Sequence, residues 1–216
     1  MKIYAISGLG ADKRVFDYLK LEVELIYIDW IDPKGQESLS DYAKRLSAQI
    51  DTREDFIILG VSFGGMIATE ISHQLNPKLS ILISSAETRL ELRPIIRFFD
   101  KVGFLRILPT KLFTPPKRIV KYLFGTSKIE LLYQILDDTD LSFAKWAVIQ
   151  MTKWKRTNKL KKNLLKISGS KDKLIPPKDI TNSIVIENGE HFMIVDKADE
   201  ISEIINNRIS KIFNSK

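Results

Sequence analysis

Residues 56–70 are Phe56-Ile57-Ile58-Leu59-Gly60-Val61-Ser62-Phe63-Gly64-Gly65-Met66-Ile67-Ala68-Thr69-Glu70. An apolar run of strand length ends at a Gly-x-Ser-x-Gly sequence, and a helix-forming sequence follows at once. This context predicts a sharp strand-to-helix turn with Ser62 at its tip, in a strained backbone conformation. Gly60 and Gly64 have no side chains to collide with the bent backbone, and Gly65 lets the helix start close to the strand. The sequence predicts a nucleophile elbow; the alternative is an ordinary Gly/Ser turn.

Strand and helix patterns alternate on both sides of this turn. The other strand patterns are short apolar runs at residues 2–7, 24–29, 79–84, 164–169 and 184–186. Apolar residues at helical spacing predict helices at 12–19, from Ser38 or Ser40 to about Ile50, from the elbow to about Gln74, and within 194–213. Such alternation is typical of a parallel sheet with helices on both faces, so the predicted fold class is α/β.

The alternation stops at residues 88–162, which we call the lid. This segment has no convincing strand pattern, and its apolar residues recur at helical spacing between prolines and a glycine. Residues 1–87 and 163–216 are therefore predicted to form an α/β core that the helical lid interrupts. Six large side chains of the lid are expected either to border an apolar pocket or to pack the lid on the core: Phe98, Phe99, Leu105, Phe143, Trp146 and Trp154.

The lid also carries the positive charge of the chain. It holds 17 Lys and Arg against 6 Asp and Glu, whereas the other residues hold 17 against 21. A basic helical segment with aromatic residues could contact an anionic membrane surface. The interpretation that the sequence favours is that these cations solubilise the outer faces of the lid. No nucleic-acid-binding module is recognisable, so nucleic acid is not an expected partner.

Composition restricts the chemistry and the expected compartment. The chain has 216 residues and no cysteine, which excludes disulfides, a thiol nucleophile and thiolate metal sites. The apolar run at residues 3–6 is too short for the core of a signal peptide, and no apolar run approaches the roughly 18 residues that span a bilayer. The sequence predicts a cytoplasmic protein and does not predict an oligomeric state.

A serine nucleophile needs a general base, and the chain has two histidines. His73 lies about three turns along the helix predicted after the elbow, so it is interpreted as a surface residue away from Ser62. His191 follows the last predicted strand through Glu187-Asn188-Gly189-Glu190. Its loop opens at the same edge of a parallel sheet as the elbow, and His191 is therefore the predicted base.

The same edge offers an acid and two backbone donors. Asp172 follows the fifth predicted strand, where its carboxylate can accept the Nδ1–H of His191 and leave Nε2 for the serine. Glu87, just past the neighbouring strand, is the alternative acid. The N–H groups of Phe63, the residue after the nucleophile, and of Leu9, in the loop after the first strand, are predicted to bind the oxyanion.

Three parts of the sequence together resemble the α/β-hydrolase superfamily, and within it the lid-bearing, esterase-like serine hydrolases. They are residues 60–65, Asp172 in Gly-x-x-Asp-x-x-x-Pro, and His191 after a glycine. The order serine, acid, histidine along the chain is also the order found in this lineage. The resemblance covers nearly the whole chain, and it implies a mostly parallel sheet with an inserted helical cap, which fits residues 88–162.

The sequence departs from the superfamily pattern in two places. It begins at the strand that is third in the full eight-stranded sheet, so about six strands are expected. It also has Ser7-Gly8 where many members have His-Gly. A backbone donor does not need that histidine, so the difference concerns how the loop around Leu9 is anchored.

The resemblance implies a serine hydrolase that cleaves a small or medium apolar carboxylic ester through an acyl-enzyme, with no metal or organic cofactor. Thioesterase, lactonase and carbon–carbon hydrolase activities stay open, because a fold alone does not select a substrate. A hydrolase-fold protein that binds a ligand without turnover would contain the same residues. A dinucleotide-binding protein is weakly suggested by Gly8-Leu9-Gly10 and Asp29, but Lys13 occupies the third glycine position and Asp12 would repel a pyrophosphate.

Overall fold

Six parallel strands form one sheet in the computed structural model, which describes residues 1–102, 104–160, 163–178 and 182–213. The strands are β1 (Lys2–Ile6), β2 (Leu25–Tyr27), β3 (Phe56–Val61), β4 (Leu79–Ile83), β5 (Leu164–Gly169) and β6 (Ile184–Ile186). Their order across the sheet is β2-β1-β3-β4-β5-β6, and every neighbouring pair is parallel. The prediction of an α/β fold with about six strands is confirmed.

Helices connect β2 to β3, β3 to β4 and β4 to β5, and two more follow β6. Outside the lid they are α1 (Leu39–Leu46), α2 (Phe63–Leu75), α7 (Met193–Asp196) and α8 (Ala198–Phe213). Within the lid they are α3 (Pro94–Val102), α4 (Lys117–Phe124), α5 (Ile129–Asp137) and α6 (Leu141–Lys153), and the described lid residues include no strand. Ser38 begins α1, because its hydroxyl accepts the N–H of Asp41.

The prediction of a helix at residues 12–19 is wrong. Only a 3₁₀ turn, Lys13–Val15, forms there. The Asp12 carboxylate accepts the N–H of Arg14 at 2.9 Å and also binds the Arg14 guanidinium at 2.6 Å. An aspartate that bonds the backbone two residues ahead favours a turn over a helix. The α1 helix is likewise shorter than predicted, because a 3₁₀ turn replaces it at Ser47–Gln49.

Alternating side chains of the strands build a separate apolar core on each face of the sheet. In β1, Ile3 and Ala5 belong to the core that Ile205 and other residues of α8 cover. Tyr4 and Ile6 point to the opposite face and belong to the core that α1 and α2 cover. The sheet is therefore buried on both sides, as a parallel sheet requires.

The lid packs into both of these cores. Val120 of α4 and Leu132 of α5 belong to the core that contains α8, whereas Phe143 and Trp146 of α6 belong to the core that contains α1 and α2. The lid helices thus straddle the edge of the sheet at which the strands end. The division of the chain into a core, 1–87 with 163–216, and a lid, 88–162, stays a prediction.

Glu70 fastens the end of the lid to α2. Its carboxylate, which is almost fully buried, accepts the indole N–H of Trp154 at 2.8 Å and the Arg156 guanidinium at 2.6 Å. Burial disfavours the charge of Glu70, but the hydrogen bonds from Arg156 and Trp154 outweigh it and hold the pKa of this carboxyl below its ordinary value. The helix that begins at Ser62 is therefore tied directly to the lid.

None of the helices in the described residues is both long enough and apolar enough to cross a bilayer.

Candidate active site

Ser62 adopts the strained backbone conformation that the elbow sequence predicts. Its φ is 51° and its ψ is −120°, in a region that residues with side chains rarely occupy. The Ser62 N–H donates to the carbonyl of Ile83 at 2.9 Å, and the Ser85 hydroxyl donates to the Ser62 carbonyl at 2.6 Å. These two bonds fix the backbone on both sides of the side chain, so the hydroxyl is presented above the end of β3.

The two outer glycines of the elbow are required by close backbone contacts. A Cβ atom on Gly60 would lie 2.5 Å from the carbonyl oxygen of Gly64 and from the Cα of Gly65. A Cβ atom on Gly64 would lie 2.5 Å from the carbonyl oxygen of Ile6. A side chain at either position would therefore push α2 away from β3 and β1. Ser62, at the start of α2, would move with it.

His191 joins Ser62 to Asp172 through hydrogen bonds. Its Nε2 lies 2.8 Å from Ser62 Oγ, and its Nδ1 lies 2.8 Å and 3.0 Å from the two carboxylate oxygens of Asp172. The side chains of His191 and Asp172 are almost completely buried, at 3% and 0% exposure. An ionised carboxylate can only accept, so Nδ1 carries the proton and Nε2 is left to accept the serine hydroxyl.

The loops that carry Asp172 and His191 support one another. The backbone N–H groups of Leu174 and Ile175 donate to the Oδ1 of Asp172 at 2.8 Å and 2.9 Å, which fixes the carboxylate. The N–H of Lys171 donates to the carbonyl of Gly189 at 2.9 Å, and Lys173 and Glu190 form an ion pair. The acid and the base are therefore held on two crosslinked loops after β5 and β6.

The alternative acid and the second histidine lie elsewhere. Glu87 is buried, and its carboxylate accepts the N–H of Leu160 at 2.5 Å instead of contacting His191. Burial raises the pKa of the Glu87 carboxyl, and the charge of Glu91 adds to this effect. His73 is exposed on α2, as the sequence predicts for a surface residue.

The loop after β1, which contains Leu9, lies against the serine. A Cβ atom on Gly8 would be only 3.4 Å from the Cβ of Ser62. Within the described residues, the N–H groups of Leu9 and Phe63 donate no hydrogen bond, so both are left for a ligand. Unpaired N–H groups beside a nucleophile are the chemical requirement of an oxyanion hole.

Ser7, Trp30 and Thr139 anchor this loop. The sequence patterns do not assign any of the three to the site. The Ser7 hydroxyl donates to the carbonyl of Ala11 at 2.6 Å and accepts the indole N–H of Trp30 at 3.0 Å. The Thr139 hydroxyl, from the lid, donates to the carbonyl of Gly10 at 3.1 Å. Ser7 thus has a structural role of its own, because its hydroxyl holds the loop that carries Leu9.

A cavity of about 290 Å³ opens beside Ser62 and His191. Among the described residues that line it, the polar side chains are those of Ser62, Thr139 and His191. The single hydroxyl proton of Thr139 is shared between the carbonyls of Gly10 and Ile135, at 3.1 Å and 2.9 Å. The remaining lining is mostly apolar and comes from both the core and the lid. The lid side chains are Ile96, Phe113, Pro115, Val120, Leu123, Phe124, Leu132, Ile135, Leu136, Ala144, Val148 and Met151.

The lid does supply the apolar wall, but through other residues than the six large side chains considered from the sequence. Phe143 and Trp146 pack behind the site, with ring centroids 5.0 Å from Trp30 and 4.5 Å from Tyr42. Trp154 binds Glu70, Phe98 is exposed, Leu105 is half-buried, and the side chain of Phe99 lies outside the described part of the structure.

Phe124 is a residue of the site that sequence reasoning missed. Its ring meets the imidazole of His191 edge to face, and its carbonyl accepts the N–H of Phe192 at 3.0 Å. Gly125 follows with φ of +52° and ends α4 against Glu190. Gly125 is the one sign of this position in the sequence, because a glycine after a helical pattern marks the end of a helix. It does not show what the end of that helix contacts.

No protein-family model and no curated protein matches the sequence. Solved structures match it over almost its whole length. ClbQ from the colibactin NRPS/PKS pathway is 15% identical with a TM-score of 0.71, over 100% of this chain and 99% of that one. A thermophilic esterase from Thermogutta terrifontis is 14% identical with a TM-score of 0.76, over 98% and 90%. A lipase-esterase related protein from Clostridium acetobutylicum is 16% identical with a TM-score of 0.68, over 95% and 93%.

The parallel sheet, the elbow at the end of β3 and these likenesses define the fold. The chain has the α/β-hydrolase fold. Sequence identities this low show a shared fold and no more. The activity therefore has to be argued from the side chains of the site.

Proposed function

We propose that this protein is a serine hydrolase that cleaves carboxylic esters with a small or medium apolar acyl group. The observation that carries the proposal is the hydrogen-bonded row of Ser62, His191 and Asp172, which ends at an apolar cavity. Hydrogen-bond distances of 2.8 Å on both sides of the imidazole meet the geometric requirement for a base-activated nucleophile.

In the first half of the proposed reaction, Ser62 Oγ attacks the ester carbonyl carbon while its proton passes to Nε2 of His191. Asp172 accepts the Nδ1–H and stabilises the imidazolium that forms. The carbonyl oxygen becomes an oxyanion, for which the N–H groups of Leu9 and Phe63 are the proposed donors. Collapse of the tetrahedral intermediate breaks the bond to the leaving alcohol, which takes the proton from Nε2. Ser62 is left as an acyl ester.

In the second half, water attacks the acyl carbon and His191 takes a proton from it. A second tetrahedral intermediate uses the same two donors. Its collapse releases the carboxylic acid, and Nε2 returns the proton to Ser62 Oγ. Each turnover therefore consumes one ester and one water, and leaves the enzyme unchanged.

The cavity supports an apolar acyl group. Its volume, about 290 Å³, lies just below the range of about 300–1,000 Å³ for ligand pockets, which favours a small or medium group. The hydroxyl of Thr139 already donates within the protein, so a polar acyl group would find few partners along the wall. Two similar structures, an esterase and a lipase-esterase related protein, agree with ester chemistry.

A fluorophosphonate probe with identification of the labelled residue by mass spectrometry tests the nucleophile. We expect label on Ser62, none in Ser62→Ala, and normal labelling in Ser210→Ala, whose serine lies exposed on α8. Labelling that persists after Ser62→Ala would refute the assignment.

A chromogenic ester series of increasing acyl length tests the substrate class. We expect hydrolysis of short and medium acyl esters that falls when the chain outgrows the cavity, and loss of hydrolysis in Ser62→Ala. Faster turnover of thioesters or lactones of equal size would move the assignment to those activities. Tight ligand binding with no turnover of any of them would favour a hydrolase-fold binding protein.

A further inference from the structure

The lid has a second set of apolar side chains, which are exposed and do not line the cavity. Within residues 92–129, the side chains that the structure describes include six that are large, apolar and exposed, which we call the docking face. They are Ile95, Phe98, Ile107, Leu112, Ile119 and Tyr122, with exposures of 55%, 56%, 77%, 65%, 48% and 67%. Exposed large apolar side chains are normal when they are scattered singly, so six of them within one short segment, whose helices also line the cavity, need a further explanation.

The helices that carry the docking face are apolar on two sides. In α4, Val120 and Leu123 line the cavity, while Ile119 and Tyr122, three residues apart, are exposed. In α3, Ile96 lines the cavity while Ile95 and Phe98 are exposed. A surface helix normally has a single apolar side, and the fold of the described chain buries one side of each of these helices.

The same segment is strongly cationic. Residues 92–129 contain nine Lys and Arg against a single acid, Asp100, so this short stretch alone exceeds the net charge of +7 of the whole chain. Lys111, Arg118 and Lys121 are exposed beside Leu112, Ile119 and Tyr122 in the sequence. Apolar side chains interleaved with cations are the combination that binds at the interface of an anionic bilayer.

We propose that the docking face binds the surface of an anionic phospholipid bilayer, with its apolar side chains inserted between headgroups and its cations on the phosphates. A second copy of the chain fits less well, because a two-fold dimer would place this face against itself and bring like charges together. Nucleic acid fits less well, because four of the six exposed side chains are aliphatic and stacking on bases requires aromatic rings.

The proposal does not depend on catalysis, because binding can be measured without turnover. Ser62→Ala is therefore expected to bind vesicles as the unchanged protein does. If the protein is the proposed esterase, docking would bring the helices that line its cavity to the membrane, where apolar esters collect. Failure of the esterase assay and failure of vesicle binding are separate results.

Vesicle co-sedimentation of the full chain tests the docking face. Vesicles of phosphatidylcholine alone are compared with vesicles that contain phosphatidylglycerol, at low and at high salt. We expect binding to the anionic vesicles, weakening of that binding at high salt, and little binding to the neutral vesicles. Absence of binding to anionic vesicles at low salt, or equal binding to both kinds, would overturn the proposal.

Matched variants locate the surface. Replacing Lys111, Arg118 and Lys121 by Gln is expected to weaken binding to anionic vesicles by at least about tenfold, whereas the same change at Lys20, Lys34 and Lys44 leaves it nearly unchanged. Ile107→Ser with Leu112→Ser is expected to weaken binding by about tenfold, and Ile184→Ser with Phe213→Ser, two exposed positions outside the lid, is the control.

Thermal melting establishes that each variant is folded, and this measurement does not depend on the proposed nucleophile. Equal loss of binding in the docking-face and control variants would overturn the proposal. Light scattering tests whether a second copy of the chain covers the face. A dimer that is lost in the variant Ile107→Ser with Leu112→Ser would also overturn the proposal.

Discussion

The rings of Phe124 and His191 contact each other in a T-shaped arrangement, with centroids 5.2 Å apart and planes at 88°. Phe124 ends the lid helix α4, and its carbonyl accepts the N–H of Phe192, the residue after the histidine. The ring also lines the cavity. One lid residue therefore contacts the proposed base, the backbone that carries it and the proposed acyl site.

Phe124→Ala is expected to lower kcat/KM for a chromogenic ester by about tenfold or more, because the imidazole loses the ring that limits its movement. Phe124 is only partly buried, so the loss of stability should be below the roughly 3–5 kcal/mol of a buried Phe→Ala change. Ile119→Ala, on the exposed side of the same helix, is the control and should leave kcat/KM nearly unchanged. Equal activities for the two variants would mean that Phe124 does not position the base.

Asp172→Asn is expected to lower kcat by about 10⁴-fold with little change in melting temperature. The Oδ1 of Asp172 already accepts the N–H groups of Leu174 and Ile175, so the oxygen of an asparagine would remain there. Its NH₂ group would then face Nδ1 of His191 and force the proton onto Nε2. That tautomer has no lone pair to accept the proton of Ser62.

Glu87→Gln is the matched control, since it makes the same chemical change in the alternative acid. The glutamine oxygen can still accept the N–H of Leu160, and His191 loses no contact, so kcat should stay within about threefold of the unchanged protein. Steady-state kinetics on both variants decide between the acids. If Glu87→Gln disables turnover and Asp172→Asn does not, the acid is wrongly assigned.

The elements that could be predicted from the sequence are those whose conformation is determined by residues close to them in the chain. Six apolar runs form the strands, and the glycines at 60 and 64 are required by the backbone contacts that the turn creates. Because parallel strands end at one edge, the positions of Ser62, Asp172 and His191 after their strands were enough to predict that they meet. The helix at 12–19 failed because the Asp12 carboxylate competes for the backbone N–H of Arg14, which apolar spacing does not reveal.

The walls of the site could not be predicted, because distant contacts determine them. Helical spacing in the lid gives the helices but not which side of each faces the cavity, and the largest side chains, Phe143 and Trp146, pack elsewhere. Thr139 reaches Gly10 across 129 positions of the chain, and no local pattern encodes such a bond. The contacts of Ser7 with Trp30 are missed for the same reason.

Ser7→Ala is expected to lower kcat by about tenfold while KM changes less, because the loop that offers the Leu9 N–H loses its hydroxyl anchor. The indole N–H of Trp30 keeps a weaker contact with the carbonyl of Ala11, at 3.2 Å, so the loop should loosen without unfolding. A donor that acts on the oxyanion affects the transition state more than the bound substrate, which separates kcat from KM.

Ser72→Ala is the control for Ser7→Ala, because Ser72 is also buried and donates to a backbone carbonyl, that of Ala68 at 2.6 Å, but lies in the last turn of α2. Both variants should lose similar stability, and only Ser7→Ala should lose kcat. A parallel loss of kcat in both would attribute the effect to general destabilisation instead of to the oxyanion loop.

Glu87 is expected to make the protein less stable as the pH rises. Burial raises the pKa of its carboxyl above the ordinary value of 4.5, so the folded state holds this proton more tightly than the unfolded state. Between the two pKa values unfolding releases the proton, and the free energy of unfolding falls as the pH increases through that window. Above both pKa values the free energy of unfolding is lowered by the full amount, and below both values it is not lowered.

Glu87→Gln removes the titrating group and should therefore raise the melting temperature relative to the unchanged protein at neutral pH. The advantage should shrink as the pH approaches 4.5 and vanish below it, because both side chains are then neutral. Thermal unfolding across this pH range measures the difference, with Glu54→Gln, an exposed acid, as the control. A difference between Glu87→Gln and the unchanged protein that is constant with pH would show that the carboxyl of Glu87 does not titrate differently on folding.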